Sequence, residues 1–513
     1  MCSAVQRPQH EQRSRRNHKS TDSSSAVPMN FRQQCLPVAM QYKHYYRLLP
    51  VLLFFMVITD CKHELSAHTD RTRQHVFAIK NVNVIPMTGG EVLFNATVII
   101  ENGKIVSLSG PIPDNAGMID GKGKWLIPGL VDMHVHVPTD GHFNTMYPTR
   151  AATVFTSTQD VMTPFVANGV TTIFELNARA GHFGQRNEIL RGDVIGPRMA
   201  LAALIEGGDE SARIANTPAD GRQSVRMAKA EGYEFIKVYS HLTIETYKAI
   251  IDEADKQGMK VIGHIPNSFK GRIEEALVPH FGMVAHAEEF TKHTRDFSDR
   301  DVQHYAKLAK ENGTWVTPTL IVIESSADQA RSLDNVRTLQ SLQYVHPLLQ
   351  SKWLTANRHN QGTSPERVAR FERMIGFNSR LVKAFKKAGV PIVAGTDAGS
   401  SGVVWGFSLH DELELLVEAG LTPEEALTSA TRLPAVWLGI DNMVGTIEAG
   451  KYADLVLLDA NPLNDIKNTR KISGVFVNGR WLDRAGIDAM LSDLSQRNAG
   501  SKHEWEWSKR GEY

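Results

Sequence analysis

Polar side chains interrupt several apolar runs in the middle of this chain, always toward the carboxyl end of the run. His134 and His136 stand two residues apart in LVDMHVHV, so on a strand both point to one face and Val135 to the other. Two imidazoles at one level suit a divalent metal ion. Because such groups are costly to bury without a partner, the spacing predicts a metal site.

Four further polar residues follow, one from each of four later runs. They are Lys237 in FIKVYS, His264 in VIGHIP, His286 in VAHAEE and Asp397 in AGTDAG. Taken singly, a histidine at a strand end is usually structural, and Gly-Thr-Asp-Ala-Gly is usually a turn. Six polar groups that follow one another in strand order favour a single metal-binding centre instead.

Eight apolar runs alternate with amphipathic stretches of helical length, which is the pattern of βα units around a parallel sheet. The runs span residues 130–137, 170–176, 198–204, 234–240, 260–265, 283–289, 315–322 and 390–397. Eight strands favour closure, and barrel enzymes assemble their sites at the carboxyl ends of the strands. The sequence therefore predicts an α/β fold with a (β/α)8 TIM barrel over residues 128–440.

Short strands with alternating apolar residues flank this middle part. FAIKNVNVIP and ATVIIENGKIVSLSG, with an Asn-Gly turn at 102–103, are matched near the other end by YADLVLLDA and ISGVFVNGRWL. We expect residues 77–127 and 441–485 to form one small β-sandwich. Residues 324–389, with an amphipathic stretch at 365–387, are expected to form a helical insertion over the barrel mouth; the polar tail, 486–513, has no assigned role.

The N-terminal segment has a different composition, with more basic than acidic residues over positions 1–76. Residues 1–67 are interpreted as a disordered leader followed by a signal peptide that begins at Met40, with its core at 40–60. This predicts export, to the periplasm or outside the cell. Cys61 follows the apolar run at the position that the lipidated cysteine of a bacterial lipoprotein would have. Asp60, however, stands where a small residue is expected. We expect the protein to be attached to a membrane only if Cys61 is lipidated.

The composition of the chain limits which partners it is expected to bind and which side chains can hold a metal ion. The chain has 57 Lys and Arg against 56 Asp and Glu, a balance that argues against a nucleic-acid partner. Its three cysteines, Cys2, Cys35 and Cys61, all lie in the leader segment, so the folded part has no thiolate for a metal. The expected partner is a small molecule or dipeptide, and a homo-oligomer is compatible with the sequence.

The motifs PGLVDMHVHV, FIKVYS, VIGHIP, VAHAEE and AGTDAG resemble the metal-ligand set of the amidohydrolase superfamily, most closely its prolidase-like dipeptidase branch. The resemblance spans about 77–485 and includes LTPEEALTSATRLPAVWLGI. It implies two divalent ions, zinc by preference, one held by His134, His136 and Asp397 and the other by His264 and His286. Lys237, carboxylated on its amine, would bridge them.

The same resemblance implies hydrolysis of an amide bond, in a dipeptide or an N-acyl amino acid, by a hydroxide that bridges the metals. Asp397 would be the catalytic base that takes the proton and passes it to the leaving amine. Tyr239, two residues past Lys237, and His182 in NARAGHFGQR are candidate substrate contacts. Where many relatives have Glu-His-Gly, this chain has Ala285-His286-Ala287-Glu288-Glu289, so local substrate contacts are expected to differ.

Three alternatives stay open. A lactonase or phosphotriesterase would use the same two-metal hydroxide on another centre. A mononuclear deaminase or cyclic amidase on the same barrel would not need Lys237. A non-catalytic scaffold would be expected to have lost some ligands, and none of the six is missing.

Overall fold

The computed structural model describes residues 75–139, 157–208 and 213–510. The predicted leader, signal peptide and Cys61 lie outside the described residues, so export and lipidation stay predictions. Among the helices formed by the described residues, none has both the length and the apolar character needed to span a membrane.

The described residues form sixteen β-strands and fourteen α-helices. In chain order the strands are β1 Val76–Val84, β2 Leu93–Glu101, β3 Lys104–Ser107, β4 Gly117–Asp120, β5 Trp125–Pro128, β6 Leu130–Val135, β7 Val170–Glu175, β8 Arg198–Glu206, β9 Arg213–Ile214, β10 Phe235–Val238, β11 Lys260–Gly263, β12 Phe281–Ala285, β13 Trp315–Thr317, β14 Leu455–Leu458, β15 Ile472–Val477 and β16 Arg480–Asp483. The helices are α1 Thr158–Ala167, α2 Ala180–Arg191, α3 Pro218–Glu231, α4 Ile244–Lys256, α5 Glu288–Thr291, α6 Asp299–Glu311, α7 Leu320–Arg331, α8 Asp334–Arg337, α9 Pro347–Thr355, α10 Pro365–Ala388, α11 Phe407–Glu418, α12 Pro423–Ser429, α13 Arg432–Leu438 and α14 Arg484–Ser501.

The two ends of the described chain build one β-domain, as predicted. Its strands run in the order β16-β15-β14-β5-β1-β2-β3, with β4 parallel to β1. The segments meet where β14 pairs antiparallel with β5, from Leu455 opposite Pro128 to Leu458 opposite Trp125. Asn102 and Gly103 join β2 to β3 with φ values of 50° and 74°, the left-handed conformation that an Asn-Gly hairpin turn requires.

The middle of the chain forms the predicted barrel. Strands β6, β7, β8, β10, β11, β12 and β13 are parallel and paired in this order, with the short β9 beside β8. The eighth run closes the ring: Val393 donates to Val316 O of β13 at 3.0 Å, and Met133 of β6 donates to Ala394 O at 3.1 Å. This run forms single bridges rather than a continuous ladder. At Gly395 a Cβ would lie 2.5 Å from the hydroxyl of Thr317, so only glycine fits there.

Two expectations about the connection between the seventh and eighth strands are corrected. The run at 315–322 ends as a strand at Thr317, because Pro318 cannot donate to a ladder, and α7 follows. The stretch at 365–387 lies in α10, which packs in the outer layer against α6 and α7, not over the mouth. Its buried Phe377 and Phe385 pack against Tyr305 of α6 and Phe290 of α5, and Arg380 pairs with Asp299 of α6 at 2.9 Å.

The C-terminal tail packs on the barrel. Arg497 of α14 pairs with Asp160 of α1 at 2.6 Å, and Asn498 donates to Gln343 O at 2.9 Å. Beyond α14, the indole ring of Trp507 lies under the ammonium group of Lys352, 4.8 Å from the ring centroid. The C-terminal tail therefore contacts both α1 and α9 on the outside of the barrel.

Candidate metal centre

The two histidines of β6 lie inside the barrel, as their spacing predicted. Val135 packs in the cluster between the barrel and its helices, whereas His134 is fully buried and His136 is 26% exposed. Nε2 of His134 and Nε2 of His136 lie 3.0 Å and 2.9 Å from Oδ1 of Asp397. The three ligand atoms lie within 4.8 Å of one another, and no other three His, Cys, Asp or Glu side chains of the described residues are so gathered.

Asp397 is held by its own backbone and by its neighbours. Its φ of 57° is left-handed, and its N–H donates to His134 O at 2.7 Å. Ser400 Oγ donates to Oδ2 of Asp397 at 2.9 Å. The hydroxyl of the preceding residue, Thr396, donates to Oδ2 of the buried Asp132 at 2.7 Å. The carboxylate of Asp397 is therefore fixed in the barrel mouth by Ser400, His134 and His136, and its backbone is fixed by the carbonyl of His134.

Burial and neighbouring charges shift the pKa values of His134, His136 and Asp397 in different directions. Burial, together with the neighbouring charge of Lys237, lowers the pKa of His134 to about 3. Burial also opposes the charged form of His136, but its hydrogen bonds to Asp397 and Glu175 prevail and raise its pKa to about 9. Against its own burial, the two histidines hold the pKa of Asp397 well below its usual range. The carboxylate of Asp397 therefore faces Nε2 of both rings, whereas Nδ1 of His134 is buried and has no hydrogen-bond partner among the described residues.

The other predicted ligands lie next to this trio. Lys237 of β10 is 1% exposed, and burial lowers its pKa to about 8. The rings of His264 and His286 are 5.0 Å apart between centroids, and those of His134 and His286 are 4.5 Å apart. All six predicted residues therefore lie in one barrel mouth.

Hydroxyl groups anchor the second pair of histidines through one ring nitrogen each. Nδ1 of His264 lies 2.9 Å from Ser240 Oγ, and Nδ1 of His286 lies 2.7 Å from Thr319 Oγ1. His286 and Thr319 have left-handed φ values of 76° and 47°, which mark both strand ends as strained. With Nδ1 engaged, Nε2 of each ring is left for a metal, the usual arrangement of metal-ligating histidines.

Imidazole nitrogens with a carboxylate, and no thiolate, form a donor set that fits zinc and related divalent ions. A profile of the amidohydrolase family matches residues 125–482. The chain belongs to the amidohydrolase family.

Individual relatives agree with this membership. The chain is 24% identical over 421 residues to imidazolonepropionase from Thermoplasma volcanium, covering 75% of this chain and 90% of that protein. It is 24% identical over 458 residues to ochratoxinase from Aspergillus niger, covering 78% and 85%. The solved structure of a Xaa-Pro dipeptidase with bound methionine has a TM-score of 0.58 at 23% identity, covering 80% of this chain and 100% of that one. This amidohydrolase is therefore a hydrolase acting on carbon–nitrogen bonds.

The two predicted substrate contacts of this amidohydrolase have different environments. Tyr239 is 36% exposed, and its ring lies 4.1 Å from that of His264, centroid to centroid. His182 is fully buried: its Nδ1 accepts from Arg179 N at 2.8 Å, and its Nε2 lies 3.0 Å from Val137 O. This geometry keeps Tyr239 as a candidate contact and makes His182 a residue that positions the β6 and β7 loops.

Two buried carboxylates around the site were missed by the sequence reasoning. Oε1 of Glu175, at the end of β7, lies 3.5 Å from Nδ1 of His136. Oε2 of Glu289 accepts from Ile265 N at 2.8 Å, and its Oε1 lies 3.5 Å from Nδ1 of His264. A glutamate inside the apolar run VTTIFEL was the available signal for Glu175. In the amidohydrolase these groups orient the rings of candidate metal ligands.

Proposed function

We propose that this amidohydrolase cleaves the amide bond of dipeptides or N-acyl amino acids at a centre of two divalent ions. The observation that carries the proposal is the gathering of His134, His136 and Asp397 beside the three remaining candidate ligands in one barrel mouth. The similarity to a Xaa-Pro dipeptidase and to ochratoxinase supports amide substrates. Zinc is the metal we propose, because the donors are nitrogen and oxygen.

The ligands divide into two sets. His134, His136 and Asp397 would hold the more buried ion, and His264 and His286 the second. Lys237 would join them after carboxylation, in which its neutral amine adds to carbon dioxide and releases a proton. Burial favours this reaction, because it lowers the pKa of Lys237 to about 8 and so increases the share of neutral amine near neutral pH.

Bound divalent ions supply an acidified water and polarise a carbonyl oxygen. The chain's own residues handle the protons and the orientation. Asp397 lies at the centre of the mouth, where its carboxylate can accept a proton from the attacking water and return it to the departing amine. Burial raises the pKa of Tyr239 to about 12, so its hydroxyl stays protonated and can donate to an oxyanion.

The test is a screen of the full-length chain loaded with zinc. Dipeptides and N-acyl amino acids are offered, amine release is recorded, and bound metal is counted by mass spectrometry. Cleavage of either class with two zinc ions per chain supports the proposal. Two ions without amide cleavage, but with cleavage of lactones or phosphotriesters, contradicts the substrate class; one ion with deaminase or cyclic amidase activity contradicts the two-metal centre.

A further inference from the structure

Strand β8 supplies no candidate metal ligand, yet it ends at a buried carboxylate inside the barrel. Ala202 of β8 packs in the cluster inside the barrel, whereas Ile205 packs in the cluster between the barrel and its helices. Because side chains alternate along a strand, Glu206 points inward like Ala202, and it is 4% exposed. Leu204 pairs with Lys237 of β10, so Glu206 lies two residues nearer the mouth than Lys237.

The carboxylate of Glu206 is saturated by donors, most of them from the loop that follows β10. Its Oε1 accepts from Gly207 N at 2.8 Å and from His241 N at 2.7 Å. Its Oε2 accepts from Ser240 N at 3.2 Å and lies 3.3 Å from Nδ1 of His241. A carboxylate has about four acceptor positions. Glu206 therefore has no position left for a metal ion or a substrate, and it holds the protein's own backbone.

Close packing joins the same two segments independently of the carboxylate. A Cβ on Gly207 would lie 2.3 Å from the carbonyl oxygen of His241. Only glycine leaves room for this approach, so the loop after β10 lies directly on the residue that follows Glu206. The hydrogen bonds and the packing together fix the backbone of this loop on the end of β8.

Ser240 connects this fixed loop to a candidate metal ligand. Its N–H donates to Glu206, and its carbonyl oxygen accepts from Asn267 N, in the loop after β11, at 2.8 Å. Its Oγ lies 2.9 Å from Nδ1 of His264. Because the backbone of Ser240 is held from both sides, its hydroxyl has a set position beside the imidazole. That position decides where Nε2 of His264 points.

We propose that Glu206 is a positioning residue for the second metal-binding half, and that it acts through Ser240 on His264. Hydrogen bonds to a carboxylate are roughly twice as strong as those between neutral groups, and a buried carboxylate is costly unless its donors stay in place. The loop after β10 therefore keeps one conformation whether or not an ion is bound. This inference rests on the proposed function, because it requires an ion beside His264.

The test measures zinc affinity of the full-length chain by competition with a chelator. His264→Ala first shows which of the two binding steps belongs to this half. Glu206→Gln replaces one oxygen by an amide group that cannot accept, so this step should weaken about tenfold, as for other groups that orient a ligand, while the other step stays unchanged. Ser240→Ala should do the same, and Ser240→Thr should retain the affinity. The double variant, Glu206→Gln with Ser240→Ala, should be no weaker than the weaker single variant, because both changes break one connection.

Glu253→Gln provides the matched control. Glu253 of α4 is 5% exposed and pairs with Arg226 of α3 at 3.2 Å in the outer layer. It is as buried as Glu206 but has no link to the mouth, so both zinc affinities should equal those of the wild type. Glu206→Asp, which keeps the charge with a shorter reach, replaces Glu206→Gln if that variant does not fold, and it should weaken the same step.

Three results would overturn the inference: an unchanged affinity at the His264 step, equal weakening of both steps, or effects of Glu206→Gln and Ser240→Ala that add. Any of these in an enzyme that cleaves amides leaves the proposed function standing. If the wild type binds two ions but cleaves no amide, the substrate class is wrong, and the affinities still decide the role of Glu206. If the wild type binds a single ion, the two-metal centre and this inference fail together.

Discussion

The two halves of the candidate metal centre are built differently. On the β6 side, Asp397 Oδ1 lies within 3.0 Å of ring nitrogens of His134 and His136, so one carboxylate oxygen contacts both imidazoles of this half. On the β10–β12 side, the rings of His264 and His286 lie 5.0 Å apart between centroids, and each is anchored through Nδ1 to its own hydroxyl group rather than to a shared carboxylate.

Charge explains the difference. An anion among imidazoles attracts its neighbours, and so the first half closes on itself. The second half has an ammonium among imidazoles: Lys237 adds to burial in lowering the pKa of both His264 and His286. This half can hold a cation only when Lys237 ceases to be one, which is the physical reason to expect a carbamate there.

The largest predicted effect tests the gathered half. Asp397→Asn keeps an oxygen near His134 and His136 but removes the proton acceptor, so turnover should fall by about 10³-fold while most metal stays bound. Steady-state rates and metal counting by mass spectrometry are the two measurements. Asp252→Asn, at an exposed ion pair on α4, should behave as the wild type. An Asp397→Asn enzyme with ordinary turnover would remove Asp397 from the role of base.

A smaller effect is expected in the half that depends on modification. Lys237→Ala should lose at least one metal ion per chain and lower activity by about 10²-fold, by analogy with the loss of other metal-orienting groups. Short carboxylic acids such as propionate should restore part of both, since they replace the missing carbamate oxygens. Lys256→Ala, which removes an exposed lysine of α4 that pairs with Asp252, is the control. Unchanged metal content in Lys237→Ala would contradict the bridging role.

The contrast also explains what could be predicted from the sequence. The barrel, the β-domain and the six candidate ligands follow from periodicity, because each polar residue falls near the end of its own apolar run. The hydroxyl groups that anchor the histidines do not follow from periodicity. Thr319 lies 33 residues from His286 in the chain, and only the folded barrel brings them together. The place of α10 was missed for a similar reason, since its amphipathic pattern gives the apolar face but not the surface that this face covers.

The smallest predicted effect concerns the hydroxyl groups that hydrogen-bond to the histidines of the second half. Thr319→Val removes the hydroxyl at His286 Nδ1 while keeping a β-branched side chain at the same left-handed φ, so backbone strain is little changed. Metal affinity at this half should fall about tenfold, measured by competition with a chelator. Thr319→Ser keeps the hydroxyl and should retain the affinity. Because the hydroxyl of Thr319 bonds to His286 and to none of the ligands of the gathered half, one ion per chain should remain bound as tightly as in the wild type. Equal weakening of both ions would mean that the two halves act as one unit, and the distinction between them would be lost.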